Sequence, residues 1–407
     1  MKGKYPTEYF MNPDINKPIE EIWADIDAYS GEYFEDEEYR KHTDFFIVLP
    51  PLKYEGRFTK GIFMSQGTDY VYKLYPNISE LFVSMAYTMW SSYPWSEKAD
   101  VYMTCYKNPE REEWYFRTHP DKRDKILIPL QDADFTNEYI LAPQFNTKRD
   151  IDVLYIARIS ELKNVPVYIE ALKIYKEKYG KKLHAVLITG DRHDNAQFQR
   201  EKIVNEIKQK VGNMEDYVKV IDYTPYNEIP KYYSRAKFTL LASLIEGKNR
   251  TIQESMSCNT PIIIFKDHNK WARGPHEVFY KNSGLYVPKF SPEALADTLH
   301  NGLTHYQGRF YPRRNYLRFN GRKNFINKCV DSIPYFRENL PEYQEGRLQD
   351  NLWLDLAMQD NYQLSFIDFL YGKNPRIQHT KCTEDDHSIV DFFYSRFNVK
   401  NPMKTLN

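Results

Sequence analysis

The residues whose types and spacing could do chemistry lie in two short runs. The first is Glu246-Gly247-Lys248-Asn249-Arg250-Thr251-Ile252-Gln253-Glu254. It follows an apolar strand-like run, Phe238 to Ala242, and leads into a helix predicted over Arg250 to Cys258. A helix N-terminus presents unpaired N–H groups and partial positive charge, so it can cradle phosphate. Glu254, about one turn deeper on the same side, could accept hydrogen bonds from two vicinal hydroxyls, as on a ribose. Glu246, in the loop, could reach a sugar bound beyond the phosphates. The second run is Arg158-Ile159-Ser160-Glu161-Leu162-Lys163-Asn164, which follows the strand predicted over Asp152 to Ile156. Arg offers a planar fork and Lys a point charge, and together they can neutralise a departing diphosphate. Each run alone has a plainer reading: glutamates early in a surface helix, or two cations in a surface loop. The two in this order, both at strand ends, are far more specific.

The elements that must position these runs follow from hydrophobic patterning. Strands are predicted over 152–156, 185–190, 218–221, 238–242 and 261–265, separated by helices over 165–179, 199–211, 227–236 and 250–258. Pro230 falls in a first helical turn, where proline is tolerated. Ser291-Pro292-Glu293 opens a further helix with an N-cap, a proline and an early acid. Regular β-α alternation with short links predicts a doubly wound α/β sheet, which binds ligands at the carboxyl ends of its strands. The first 145 residues also alternate, with strands predicted over 45–49, 61–64, 100–105 and 125–129 and a helix over 78–90, capped by Asn77. The polar stretch Pro143 to Arg149 marks a boundary. The expected organisation is 1–145, 146–308, and a mostly helical tail, 309–407. The tail is expected to pack back on the short first domain.

Bulk composition excludes several classes. A chain of 407 residues suits two domains. Lys and Arg total 56, as do Asp and Glu, and a net charge of zero argues against a nucleic-acid partner. Cys105, Cys258, Cys329 and Cys382 lie too far apart for a zinc or redox motif, so free thiols in a reducing compartment are expected. The N-terminus lacks a signal-peptide core, and no run approaches the ~20 apolar residues of a membrane span. A cytoplasmic protein is expected. No close His/Asp/Glu cluster has metal-ligand spacing. No Gly-x-Gly-x-x-Gly follows a strand, which argues against a nicotinamide-dependent oxidoreductase. Arg309, Arg313, Arg314, Arg318, Arg322 and Lys323 are interleaved with Phe310, Tyr311, Tyr316 and Phe319. This stretch could meet anionic lipid at the inner face of the membrane, clasp the acidic segment 20–38, or simply be a solvated basic surface.

Taken together, the runs Tyr155 to Arg158, Lys163-Asn164, Ile188-Thr189-Gly190 and Leu241 to Glu254 resemble glycosyltransferase family 4, the retaining GT-B enzymes. Met256 to Ile263, Ser283 to Pro288 and Ser291 to Leu295 extend the resemblance, which covers about 151–305. It implies two Rossmann-like domains facing a cleft and transfer of a hexose from a nucleoside diphosphate sugar, a uridine diphosphate sugar first among them. The acceptor would be a glycan or lipid-linked sugar, with no cofactor and no metal. Arg158 and Lys163 match residues that bind the donor diphosphate, Glu246 the glutamate that contacts the transferred sugar, and Glu254 the one that holds the ribose. Gly247, Lys248, Asn249, Arg250 and Thr251 match the loop and helix start around sugar and phosphate. Gly190, with Tyr223 and Thr224 of the Asp222-Tyr223-Thr224 turn, sits where the family places nucleotide contacts; Glu277 carries no role. Two departures stand out. Lys248-Asn249-Arg250 replaces the usual aromatic or small residues, and no glycine-rich loop is evident in 45–70. A sugar-nucleotide epimerase or phosphorylase of similar architecture, or a non-catalytic sugar-binding relative, are the alternatives. The first 145 residues offer only His42, His119 and Asp69 as polar candidates, each read as structural.

Overall fold

A computed structural model describes residues 17–35, 45–49, 52–54, 57–74, 78–88, 92–94, 96–190, 194–244, 246–266, 279–306 and 309–339. The chain divides into two α/β units, and the second contains residues 138–321.

The first unit opens with helix α1 (Ile19–Glu35). Its five-stranded sheet has the order β1-β4-β5-β6-β7, made of β1 (Phe45–Leu49), β4 (Gly61–Ser65), β5 (Phe82–Ala86), β6 (Val101–Met103) and β7 (Ile126–Ile128). A hairpin of β2 (Leu52–Tyr54) and β3 (Arg57–Thr59) stands apart. β1 runs antiparallel to β4, and the pairs from β4 to β7 are parallel. Every residue of β4 and β5 is buried, as strands covered on both faces must be. Helices α2 (Thr68–Leu74) and α3 (Pro109–Thr118) lie between strands in the chain. α3 is capped by Asn108, whose side chain accepts from the Arg111 N–H.

The helix expected over 78–90 is not formed. Ile78–Glu80 is a single 3₁₀ turn, and Phe82–Ala86 is a central strand paired residue for residue with Gly61–Ser65. A short apolar run has no periodicity that separates a buried strand from a buried helix. Here the neighbours on both sides decided.

The second unit has six strands, all parallel, in the order β10-β9-β8-β11-β12-β13. They are β8 (Ile151–Ile156), β9 (Ala185–Ile188), β10 (Lys219–Ile221), β11 (Ala236–Leu241), β12 (Ile262–Phe265) and β13 (Gly284–Val287). Counted within the unit this is 3-2-1-4-5-6, the doubly wound order whose direction reverses between the first and fourth strands. The helices are α4 (Val165–Tyr179), α5 (Asp194–Val211), α6 (Ile229–Arg235), α7 (Arg250–Ser257), α8 (Pro292–Thr304) and α9 (Pro312–Phe319). Tyr168, Leu172, Leu295 and Leu299 of α4 and α8 share one core with Val153, Leu187 and Phe238 of the sheet. The expected Ser291 cap is present, its side chain accepting from the Ala294 N–H at 3.2 Å.

The boundaries differ from those read in the sequence. Leu141 is buried with Ile151, Leu154 and Tyr233, so the polar stretch before Arg149 already belongs to the second unit. Tyr316 of α9 is buried with Leu241, Ile252 and Met256, so the second unit runs on to Gly321. Helices α10 (Arg322–Ser332) and α11 (Pro334–Asn339) belong to the first unit. There Phe325, Ile326, Cys329, Val330 and Phe336 share a core with Val48, Ile62, Met85 and Val101. The rest of the expected tail, 340–407, lies outside the described residues.

Candidate functional site

The two sequence runs leave β8 and β11, the strands on either side of the point where the sheet order reverses. After β8, Ala157 hydrogen-bonds the Ile188 carbonyl, and Arg158 turns outward into solvent. Ile159 is buried and anchors the loop. A 3₁₀ turn, Glu161–Lys163, follows, and Asn164 ends it in the left-handed region at φ 49°. Asn carries this conformation more cheaply than most residues, and α4 starts immediately after it.

Two contacts stitch this loop to the one after β11, and a third ties it to the strand below. The Leu244 N–H donates to the Leu162 carbonyl at 2.8 Å. The Tyr155 hydroxyl, from the buried strand below, donates to the Lys163 carbonyl. The Lys163 ammonium donates to Glu246 Oε1, so the fold joins the two runs that the sequence kept apart. Glu246 is buried. Burial pushes its carboxyl up, but the Lys163 ammonium, helped by Ser243 and Asn249, outweighs it and holds the group below the ordinary glutamate range.

Gly247 and Asn249 are buried, and Lys248, Arg250 and Thr251 are half-buried. Asn249 is the cap of α7, its side chain accepting from the Ile252 N–H at 3.2 Å. Glu254 is buried within α7 and does not meet Lys163 or Glu246. Its carboxylate accepts from the Tyr226 hydroxyl at 3.2 Å and the Tyr233 hydroxyl at 3.0 Å. Burial raises the Glu254 carboxyl, and Arg250 with the two phenols only partly offsets this.

The remaining expected contacts sit past β9 and β10. Gly190 is exposed at φ +67°, with open space where a side chain would point. Asp222 pairs with Arg200, its backbone carbonyl accepts from Thr189 Oγ1 at 3.1 Å, and Tyr223 is 47% exposed. Thr224 Oγ1 and Asn164 Nδ2 are buried polar atoms without a hydrogen-bond partner among the described residues. Both lie just beyond strand ends, on the edge where a polar ligand would supply partners.

Sequence reasoning missed Tyr155, Tyr226 and Tyr233. Their rings read as ordinary apolar positions, and only the fold shows where each hydroxyl ends. Replacing Tyr155 by Phe removes the one bond from the sheet to the Lys163 carbonyl. The expected cost is about 1–2 kcal/mol in urea unfolding, with weakened donor binding. Unchanged values of both would remove Tyr155 from the site.

Two of the other candidates, Asp69 and His119, are held in contacts within the first unit. Asp69 accepts from Ser96 Oγ at 2.7 Å and from the backbone of Glu97 and Lys98. His119 stacks on Tyr115 with centroids 4.6 Å apart. His42 and Glu277 lie outside the described residues. Among the expected basic patch, Arg313 donates to the Ser257 and Glu138 carbonyls. Arg322 is buried on the Phe135 ring and carbonyl. Arg309, Arg314 and Arg318 remain exposed. In the acidic segment, Asp27 pairs with Arg111 and Glu20 with Arg117. Among the described residues no helix is long and apolar enough to cross a membrane, and no three His, Cys, Asp or Glu side chains come together as a metal site. Cys105, Cys258 and Cys329 are buried, and Cys382 lies outside the described residues.

Comparison with known proteins bears on the second unit. Residues 139–324 match the family described as Glycosyl transferases group 1. The chain is 28% identical over 185 residues to the amylovoran biosynthesis glycosyltransferase AmsK of Erwinia amylovora. That match takes in 42% of this chain and 42% of AmsK, so well under two thirds of that relative is spanned. Among solved structures, the C-terminal domain of the group 1 family protein LpcC of Francisella tularensis is 20% identical with a TM-score of 0.37, over 45% of this chain and 96% of that one. The pneumococcal O-GlcNAc transferase GtfA, solved with UDP and GlcNAc, is 13% identical with a TM-score of 0.44, over 72% of this chain and 55% of that one.

Proposed function

We propose, for a chain whose residues 139–324 match the group 1 glycosyl transferase family, that the protein is a retaining GT-B glycosyltransferase of the family 4 type. It moves a hexose from a nucleoside diphosphate sugar, with uridine diphosphate the first choice of carrier, to a glycan or lipid-linked acceptor in polysaccharide or glycoconjugate synthesis. The observation that carries this reading is the convergence of Lys163 and Glu246 across the reversal of the sheet order, in the sheet order and at the strand ends where such sheets hold ligands.

In the proposed complex Arg158, Lys163 and the N–H groups at the start of α7 face the diphosphate. Glu246 contacts the transferred sugar, and Gly247, Lys248, Asn249, Arg250 and Thr251 surround it. Glu254 takes the ribose hydroxyls, with Gly190, Tyr223 and Thr224 beside the nucleoside. The bond from the anomeric carbon to the diphosphate oxygen breaks with its electron pair on oxygen. The acceptor oxygen bonds to the same carbon from the same face, and its proton passes to the departing phosphate. Catalysis is then positioning plus stabilisation of the leaving charge by preorganised cations and dipoles, without a metal or cofactor. The proposed location is the cytoplasm, with Arg309, Arg314 and Arg318 available to an anionic inner membrane face.

A thermal-shift screen of uridine, guanosine and adenosine diphosphate sugars tests the reading. A ligand that binds only the folded chain raises the melting temperature. One donor is expected to do so, and Glu254→Ala to abolish the rise; no rise with any donor at millimolar concentration sinks the proposal. Because the Glu254 carboxyl is raised, donor binding should begin to fail on acidification above the ordinary glutamate range. For the free protein the sign is opposite. A raised carboxyl contributes stability below its unfolded value, and this is lost as pH rises through the folded value.

A further inference from the structure

The Glu254 carboxylate is held by groups from a different part of the chain than its own helix. Tyr226 belongs to the 3₁₀ turn Tyr226–Glu228, two residues beyond the Asp222-Tyr223-Thr224 turn. Tyr233 lies in α6, fully buried among Leu154, Ile229, Ala236 and Cys258. Its backbone is also pinned, since its carbonyl accepts from Thr260 Oγ1 at 2.6 Å. Each phenol donates to a different oxygen, Tyr226 to Oε1 and Tyr233 to Oε2.

An ionised carboxylate offers about four lone-pair sites, two on each oxygen. One phenol on each oxygen leaves one site on each oxygen for a further donor. The remaining sites lie in the carboxylate's own plane, and two hydrogen bonds, one on each oxygen, restrict its rotation. A vicinal diol presents two O–H groups with matching separation, and a rotating carboxylate would first have to be ordered to receive them. We propose that Tyr226 and Tyr233 are positioning residues for nucleotide recognition, fixing the Glu254 carboxylate so that it receives the ribose diol. This rests on the reading of Glu254 as the ribose contact. It adds that the nucleoside end of the site is built by the segment 226–233 as much as by α7. It also assigns a task to two side chains that do not touch the reacting atoms. The phenols favour the charged carboxylate over the neutral acid, since each donates to it.

The test uses the full chain and its Tyr226→Phe, Tyr233→Phe and Glu254→Gln variants, with melting curves to confirm folding. Tyr226 is only half-buried, so its variant keeps the test open if Tyr233→Phe folds poorly. Affinities for UDP, GDP and ADP and for their 2′-deoxy counterparts are measured calorimetrically from mildly acidic to neutral pH. Each Phe variant is expected to weaken the preferred ribonucleotide about 3–10-fold, the usual net worth of one hydrogen bond, because the lost bond acts on the ligand only through the Glu254 carboxylate. The 2′-deoxy counterpart should lose less, so discrimination shrinks, and the acid limb of binding should move to higher pH. In turnover the effect should fall on KM for the donor rather than on kcat. Wild-type discrimination and an unmoved acid limb in both Phe variants, while Glu254→Gln abolishes discrimination, would overturn the tyrosine assignment alone. Wild-type behaviour of Glu254→Gln overturns the ribose reading and this inference with it.

Discussion

Arg158→Ala is expected to lower turnover by about 10²–10³-fold, the usual loss when one preorganised donor to developing charge is removed. The melting temperature should stay where it is. Arg158 is exposed, and among the described residues its guanidinium has no hydrogen-bond or ion-pair partner. Among the described residues no partner therefore depends on it, whereas a departing diphosphate would. Lys163→Ala should cut turnover as well, but for a second reason it should also cost stability. Its ammonium is the main group that holds buried Glu246 in the charged form, so removal leaves a buried carboxylate without its cation. The measurement is release of nucleoside diphosphate from the donor that stabilises the wild-type protein. Arg158→Ala with wild-type turnover would end the leaving-group assignment; a fall in both turnover and melting temperature would make Arg158 structural instead.

The largest expected effect on stability comes from a residue with no chemistry. Gly284 opens β13 and pairs with Ile262 of β12. A Cβ placed on it would lie 1.8 Å from the Ile262 carbonyl oxygen, and 2.7 and 2.8 Å from that residue's C and N. These are backbone atoms of a buried central strand, so no rotamer change relieves the clash. Gly284→Ala should therefore destabilise the second unit by about 3 kcal/mol or more, at the top of the range for overpacking. Gly190→Ala is the contrast. An added Cβ there meets no atom within 4 Å, but the residue sits at φ +67°, so the cost is conformational strain of about 1–2 kcal/mol. Urea midpoints of the two variants separate these cases. Equal, small shifts would mean that β12 and β13 can move apart without cost.

Much of the second unit was legible before folding because its signals are local. Apolar runs of strand length, glycine or asparagine at their ends and capped helices such as the one opened by Ser291-Pro292-Glu293 need no tertiary information. The helix over Val165–Tyr179 was bounded correctly because Asn164 and Gly180, both left-handed, close its two ends. The first unit was less legible. Phe82–Ala86 is a strand only because Gly61–Ser65 and Val101–Met103 lie on either side of it, and no local signal contains those neighbours.

The chain by itself determined which residue types stand at the carboxyl ends of β8 and β11, the basis of the phosphate-and-sugar chemistry proposed for them, because strand end and helix start are short-range features. Only the tertiary structure decided what each of those groups meets. Glu246 found Lys163, which lies 83 residues away, because β8 and β11 are neighbours in the sheet. Glu254 found Tyr226 and Tyr233 instead, because α6 packs beside the same strands. A carboxylate's charge state and free lone pairs depend on burial and on partners distant in sequence, and those are set by strand order rather than by spacing along the chain.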